Sequence, residues 1–179
     1  MKIRIFLGIM VVLAIIYAAS GIAVGKELLF KDYNAVVVQE FKVPTTVPAP
    51  DSSGAQIADD VVYQVRRYSQ QYGLFEMVIK EGTTQQVPAG KKVLIIRGEV
   101  KEYTRPTVGR RIGRSFIPGG EYTGTAYFAA HYQFVDKATG QVVHETDLRT
   151  SSSGSDDTVD YAMQRNAEAA AKLIYSYKR

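Results

Sequence analysis

The chain has 179 residues, a formal net charge of +4 and a hydrophobic content of 46%. It contains no cysteine, which excludes disulfides, thiolate metal sites, a cysteine nucleophile and lipid modification at a cysteine. Its two histidines are too few for a catalytic zinc site built from three histidines. The length allows one domain, alone or behind a leader.

Residues 1–25 read as that leader, because Lys2 and Arg4 precede an uncharged run from Ile5 to Gly25. Such a run suits a cleavable signal peptide, and it also suits a retained anchor, since ~20 apolar residues in a helix span a ~30 Å hydrocarbon core. Positive charge in front of the run keeps the amino terminus in the cytoplasm. We therefore expect the remaining chain in the periplasm or cell envelope, either released or held on the inner membrane by residues 5–25.

Residues 26–179 are expected to form a single α/β domain with little net charge, because 20 basic and 18 acidic side chains remain once Lys2 and Arg4 are set aside. The β-branched run at 33–43 predicts the first strand. Residues 44–54 contain three prolines and are expected to be an extended connection.

The first helix is predicted over 55–72, where Ile57, Val61, Val65 and Tyr68 recur at steps of four and three. Gly73 supplies the stop signal that follows it. The adjacent acids Asp59 and Asp60 are interpreted as first-turn residues that complement the helix dipole, in preference to a catalytic pair.

Four further strands are predicted after this helix. A short one covers 74–80, and the next covers 92–103, where Val93 to Ile96 are apolar on both faces and indicate the centre of a sheet. A Gly/Arg-rich loop at 105–120 leads into a strand at 122–135. A hairpin turn at 136–140 joins that strand to its partner at 141–149.

A polar turn at 151–157 precedes a second amphipathic helix that runs from Val159 to Tyr177. Asp156 and Asp157 are interpreted as residues that cap it. The predicted order is β-α-β-β-β-β-α. This order predicts an α/β (α+β two-layer) sandwich, a mixed sheet of about five strands with both helices on one face.

The strand Val93–Val100, the Gly-rich loop, the strand ending in Val135-Asp-x-x-Thr-Gly140 and the Ala-rich last helix resemble a bacterial envelope family. That family is domain of unknown function 4410, and the resemblance covers roughly residues 33–177. It implies an exported, often membrane-tethered domain without assigned activity, similar to accessory or assembly factors of the envelope. This chain departs from the family by lacking a lipoprotein cysteine and by carrying arginines in the loop.

The arginine segment is the main candidate for a binding site. Guanidinium groups suit phosphate, carboxylate or an acidic protein surface, whereas a Gly-Lys-Ser/Thr phosphate loop is missing from the segment. The expected partner is an envelope protein or an anionic membrane surface, and nucleic acid is not expected. The alternative is a solvated connection. The candidate residues are Arg105, Arg110, Arg111 and Arg114, with the flanking tyrosines Tyr103, Tyr122 and Tyr127.

The remaining polar residues carry no recognisable chemistry. His131 and His144 are expected on one face of the last hairpin, too few for a metal site without carboxylates, and Ser151 to Ser155 are expected to form a turn. No catalytic residue, metal or cofactor is predicted. The sequence thus favours a non-enzymatic exported envelope protein, an accessory or assembly factor that acts by protein–protein contact. The alternative is a periplasmic module that binds a small ligand or lipid headgroup on the open face of its sheet.

Overall fold

The strands and helices follow the predicted order in the computed structural model, which describes residues 27–107, 123–153 and 157–179. No helix in these ranges is long and apolar enough to cross a membrane, and the leader lies outside them. The elements of the described residues are β1 (Ala35–Val38), α1 (Ser53–Tyr72), β2 (Met77–Lys80), β3 (Val93–Thr104), β4 (Thr123–Asp136), β5 (Val142–Ser153) and α2 (Val159–Lys178).

The five strands form one mixed sheet in the order β2-β1-β3-β4-β5. β1 is parallel to both β2 and β3, whereas β3, β4 and β5 form an antiparallel meander. Parallel neighbours need a crossover, and α1 provides the crossover from β1 to β2. The predicted mixed sheet is confirmed.

Both helices pack on the same face of the sheet, as predicted. Alternation along β3 buries Leu94 and Ile96 completely on this face, and Tyr132 of β4 is buried beside them. Alanines of α2 allow the helix to approach the sheet closely. The helical side of this core includes Ile57, Val61 and Val65 of α1 and Met163, Ala167 and Ala170 of α2.

The opposite face of the sheet is covered only at its β2–β1–β3 side. There Ala35, Val37, Ile79 and Val93 form a second, small apolar cluster, against which Val87 of the following loop packs. This cluster accounts for the doubly apolar start of β3. The rest of that face is polar, and we call it the open face.

The start of α1 differs from the sequence prediction. The helix begins at Ser53, so Asp59 and Asp60 lie in its second turn and cannot cap its first N–H groups. Gly54 permits the early start, because a Cβ there would lie 2.1 Å from the carbonyl oxygen of Phe41. The interpretation of this acid pair as first-turn residues is wrong.

The register of the last hairpin also differs from the prediction. Phe134 pairs with His144 and Gln133 pairs with Glu145, because the pairing shifts by one residue between Phe134 and Val135. A shift of one residue moves a side chain to the other face of a sheet. His144 therefore lies on the helix-covered side and His131 on the open face, so the two histidines do not share a face.

Candidate functional site

The sheet has two ends, and the leader and the arginine segment attach at opposite ones. At one end, Ala35 pairs with Val93, and the carbonyl of Val93 accepts the N–H of Lys137. At the same end, Phe30 donates its N–H to the carbonyl of Tyr177. We call this the leader end; it comprises residues 27–34, 73–77, 88–93, 136–141 and 175–179. The arginine end is the opposite one, where β3 stops at Thr104, β4 begins at Thr123 and both helices begin.

The two helices run parallel to each other, so they also begin at the arginine end and finish at the leader end. Near their starts Gln56 of α1 donates to Asp160 of α2, and at their ends the rings of Tyr72 and Tyr175 lie 4.7 Å apart. The carboxyl-terminal turns of both helices therefore lie at the leader end.

At the arginine end the structure brings two of the predicted site residues together. Tyr103 is half-buried against the core, and the exposed guanidinium of Arg105 lies 5.8 Å from the centre of its ring. Arg110, Arg111, Arg114 and Tyr122 lie outside the described residues. The chain enters and leaves their segment at the same end of the sheet.

Asp157 fastens the start of α2 to the strands beside this segment. Its carboxylate accepts the N–H of Thr125 at 2.8 Å and the hydroxyl of Ser152 at 2.6 Å, and the hydroxyl of Thr125 also donates to it. Burial opposes ionisation of Asp157, but these hydrogen bonds outweigh it and hold its pKa well below the usual range. The cap itself is Thr158, which accepts the N–H of Tyr161, and Asp156 lies outside the described residues.

Polar side chains on the open face bind each other across the strands. Arg97 Nε donates to Gln133 Oε1 at 3.0 Å, and Gln133 Nε2 donates to Glu145 Oε2 at 3.3 Å. In the next row, His131 Nδ1 lies 2.9 Å from Asp147 Oδ1. Such pairs fix the positions of side chains that would otherwise be mobile in solvent.

A third row lies closest to the arginine end. Arg149 donates to both carboxylate oxygens of Glu102, at 2.6 and 3.2 Å, and its guanidinium lies 4.3 Å from the centre of the Tyr127 ring. The hydrogen bond to Glu102 raises the pKa of Arg149. Sequence reasoning missed this arrangement because the register shift decides which side chains meet.

A cleft of about 320 Å³ opens on this face beside β3. It forms because the chain leaves β1 at Glu40, buries Phe41 and returns at Lys42, whose N–H donates to the carbonyl of Gly98 at 2.9 Å. Its walls carry two acids, two bases, two amides and an imidazole, which suits a polar ligand with both charges. The lining residues are Gln39, Glu40, Lys42, Arg97, Gly98, Glu99, His131 and Gln133.

No group of three His, Asp or Glu side chains in the described ranges is placed so that it could hold a metal ion. On the open face, the ring of His131 is engaged with Asp147, and Glu145 lies 3.7 Å from its Nε2. His144 instead packs among Phe134 and Tyr177 on the covered side. The two histidines therefore lie in different surroundings, one in ion pairs on the open face and the other among aromatic rings.

The chain matches no protein-family model and no protein of curated function. The resemblance to domain of unknown function 4410 thus stays a prediction. Solved structures do share the fold. PelC from Paraburkholderia phytofirmans, a dodecamer in its crystal, is 13% identical with a TM-score of 0.53, over 83% of this chain and 90% of that chain. A Xanthomonas campestris protein of family DUF330 is 11% identical with a TM-score of 0.50, over 80% of this chain and 83% of that chain. The likeness establishes a fold that occurs in bacterial proteins of these two kinds.

Proposed function

We propose that this chain is a non-enzymatic protein of the bacterial cell envelope, an accessory or assembly factor that contacts a protein partner through its arginine end. The observation that carries the proposal is the separation of the two ends of the sheet. The leader attaches at one end, and the segment that contains Arg110, Arg111 and Arg114 attaches at the other.

The length of β3 sets the distance between the leader end and the arginine end. β3 has 12 residues, which corresponds to roughly 36 Å of strand. The segment between Thr107 and Thr123 has both its ends at the arginine end, so it can extend at most about 28 Å before it must return. In a domain that stands with its leader end on the membrane, the backbone of this segment therefore stays short of the bilayer, and a partner farther out in the envelope fits its arginines better.

The partner is expected to present carboxylates. Arginine forks bind carboxylates in two parallel hydrogen bonds, and an aromatic side chain beside them suits a protein interface. Tyr103 and Arg105 already provide such a pair in the described part of the segment. PelC, which shares the fold, forms a dodecamer, and this example supports a role for the fold in protein–protein assembly.

A charge-removing variant tests the proposal. In the triple variant Arg110→Ser, Arg111→Ser and Arg114→Ser, proteins that copurify with the full chain from envelope extracts should be lost, while the melting temperature stays unchanged. Binding by the unmodified chain should weaken steeply with salt, since exposed charges are screened beyond ~10 Å at 0.1 M.

The matched control removes three exposed positive charges from the leader end, through Lys31→Ser, Lys137→Ser and Arg179→Ser. This control should keep the same copurifying proteins. An identical set of partners in all three proteins would contradict the proposal.

The cleft on the open face supports a second candidate function, a module that binds a small ligand or lipid headgroup. Its balanced charges from Glu40, Glu99, Lys42 and Arg97 favour a zwitterion. Glycerophosphoethanolamine, a soluble zwitterionic headgroup, is a direct probe. A titration followed by nuclear magnetic resonance should shift the amides around Gly98, and Arg97→Gln should remove the shift. No shift at millimolar probe would exclude a phosphoethanolamine headgroup as the ligand of this cleft.

A further inference from the structure

The first described residues are built firmly into the domain. Phe30 is completely buried, and its ring centre lies 5.1 Å from that of Phe134 and 5.7 Å from that of Tyr177. Its N–H donates to the carbonyl of Tyr177 at 3.1 Å. Leu29 also packs against the core, and the N–H of Lys31 donates to the carbonyl of Leu28 at 3.1 Å, so this stretch of chain is fixed to the domain.

The last turn of α2 clamps the same residues from the other side. Lys178 Nζ donates to the carbonyl oxygens of Phe30 and Lys31 at 3.2 Å each and of Tyr33 at 2.7 Å. The ammonium also lies 4.6 Å from the centre of the Phe75 ring. Burial lowers the pKa of Lys178, which fits an ammonium withdrawn from solvent into the protein.

Very little chain separates this clamp from the apolar run of the leader. The run ends at Gly25, so only residues 26–29 precede Phe30. Five residue steps span about 17 Å when fully extended. A tether of this length holds the leader end close to any membrane in which residues 5–25 are embedded.

We propose that in the full-length chain this tether makes the leader end a membrane-facing surface, so that the sheet stands upright on the bilayer. The proposal rests on the proposed envelope location and on retention of residues 5–25 as the membrane anchor. The arginine end then lies roughly 36 Å farther from the bilayer, the length of β3. Exposed Tyr175 at the leader end has the amphipathic side chain that is enriched at membrane–water interfaces.

The tether, more than charge, is responsible for the orientation. The leader end carries six basic side chains and four acidic ones, so its attraction to anionic lipid is small. The basic residues are Lys31, Lys91, Lys92, Lys137, Lys178 and Arg179, and the acidic residues are Glu27, Asp32, Glu76 and Asp136.

The absence of cysteine allows a direct test with single labels. A donor dye is attached to Lys137→Cys at the leader end or to Thr107→Cys at the arginine end, both exposed positions. The full-length chain is reconstituted in vesicles that contain acceptor-labelled phosphatidylethanolamine. Energy transfer should be several-fold more efficient from position 137. Equal transfer from both positions, or greater transfer from position 107, would overturn the proposal.

A longer tether supplies the control. About 20 Gly/Ser residues inserted after Gly25 add an average span of about 25 Å and should bring the two transfer efficiencies close together. An unchanged difference would overturn the tether as the cause. The arginine variant described above should leave the transfer unchanged, so failure of partner binding and failure of the orientation are separately measurable.

Discussion

The two faces of β3 show how one strand serves two purposes. Leu94 and Ile96 point toward the helices and are completely buried, whereas Arg97 and Glu99 lie on the open face and bind other polar side chains. Burial of apolar surface stabilises the fold at roughly 25 cal/mol per Å², whereas exposed ion pairs contribute about 0–1 kcal/mol each. The stability of the domain therefore depends on the covered face, and the open face can change with little effect on the fold.

The sharpest test of this difference uses adjacent residues. Ile96→Asp places a carboxylate in the fully buried core and should cost several kcal/mol, comparable with a typical total stability of ~5–15 kcal/mol. Ile95→Asp is the matched control on the other, half-covered face, and it should cost about 1–2 kcal/mol. Chemical denaturation of both variants gives the comparison. Equal losses would contradict the division between the two faces.

Gly98→Ala should give the next largest effect. A Cβ at this position would lie 2.2 Å from the carbonyl oxygen of His131 and 2.4 Å from the ring of Phe41, so neighbouring backbone must move. Overpacking of this kind costs about 1–3 kcal/mol. Gly82→Ala, where nothing lies within 4 Å, tests backbone strain alone and should cost about 1 kcal/mol. Denaturation midpoints that fall equally in both variants would argue against close packing of Phe41 on β3.

Asp60 should make the stability of the fold depend on pH. Burial, with the nearby charges of Asp160 and Asp59, raises the pKa of Asp60 to about 6. A carboxyl with a raised folded-state pKa destabilises the fold as pH rises from about 4 to about 6, because its ionised form is disfavoured there. Asp60→Asn should therefore stabilise the protein on the order of 2 kcal/mol at pH 7.5 and by little at pH 3.5. Melting curves that show the same gain at both pH values would rule out this cause.

The smallest effect is expected on the open face. Arg149→Gln breaks the ion pair with Glu102, both of whose oxygens accept hydrogen bonds from the guanidinium. The arginine is exposed, so the loss should stay below about 1 kcal/mol. A double-mutant cycle with Glu102→Gln isolates the pair. A coupling energy above that limit would show that this face also stabilises the fold.

The spacing of apolar residues predicts the helices and strands well, because each helix or strand must bury one of its faces. The steps of four and three from Ile57 to Tyr68 predicted α1, and the doubly apolar start of β3 predicted a strand covered on both sides. The register of the last hairpin could not be predicted in the same way. Val142 and Val143 are both valines, so the apolar pattern does not show which of them faces the core. This one-residue difference decided which residues His131 and His144 contact.

The candidate site was less predictable than the fold. Sequence identified the arginine segment, but its distance from the leader depends on the parallel pairing of β1 with β3, which connects residues far apart in the chain. The cleft beside Gly98 depends on the short departure of the chain around Phe41, where the sequence shows only a continuing strand pattern. The pairing of Arg149 with Glu102 likewise depends on strand order.

The clamp of Lys178 on Phe30 has a consequence for the timing of folding. These residues are 148 positions apart in the chain, so the segment that precedes β1 cannot be clamped until the last turn of α2 has been made. At a synthesis rate of ~5–20 residues per second, this delay is about 7–30 s. During that interval the growing chain stays incompletely folded. Closure of the domain at its leader end is therefore a late event, which follows the pairing of the strands.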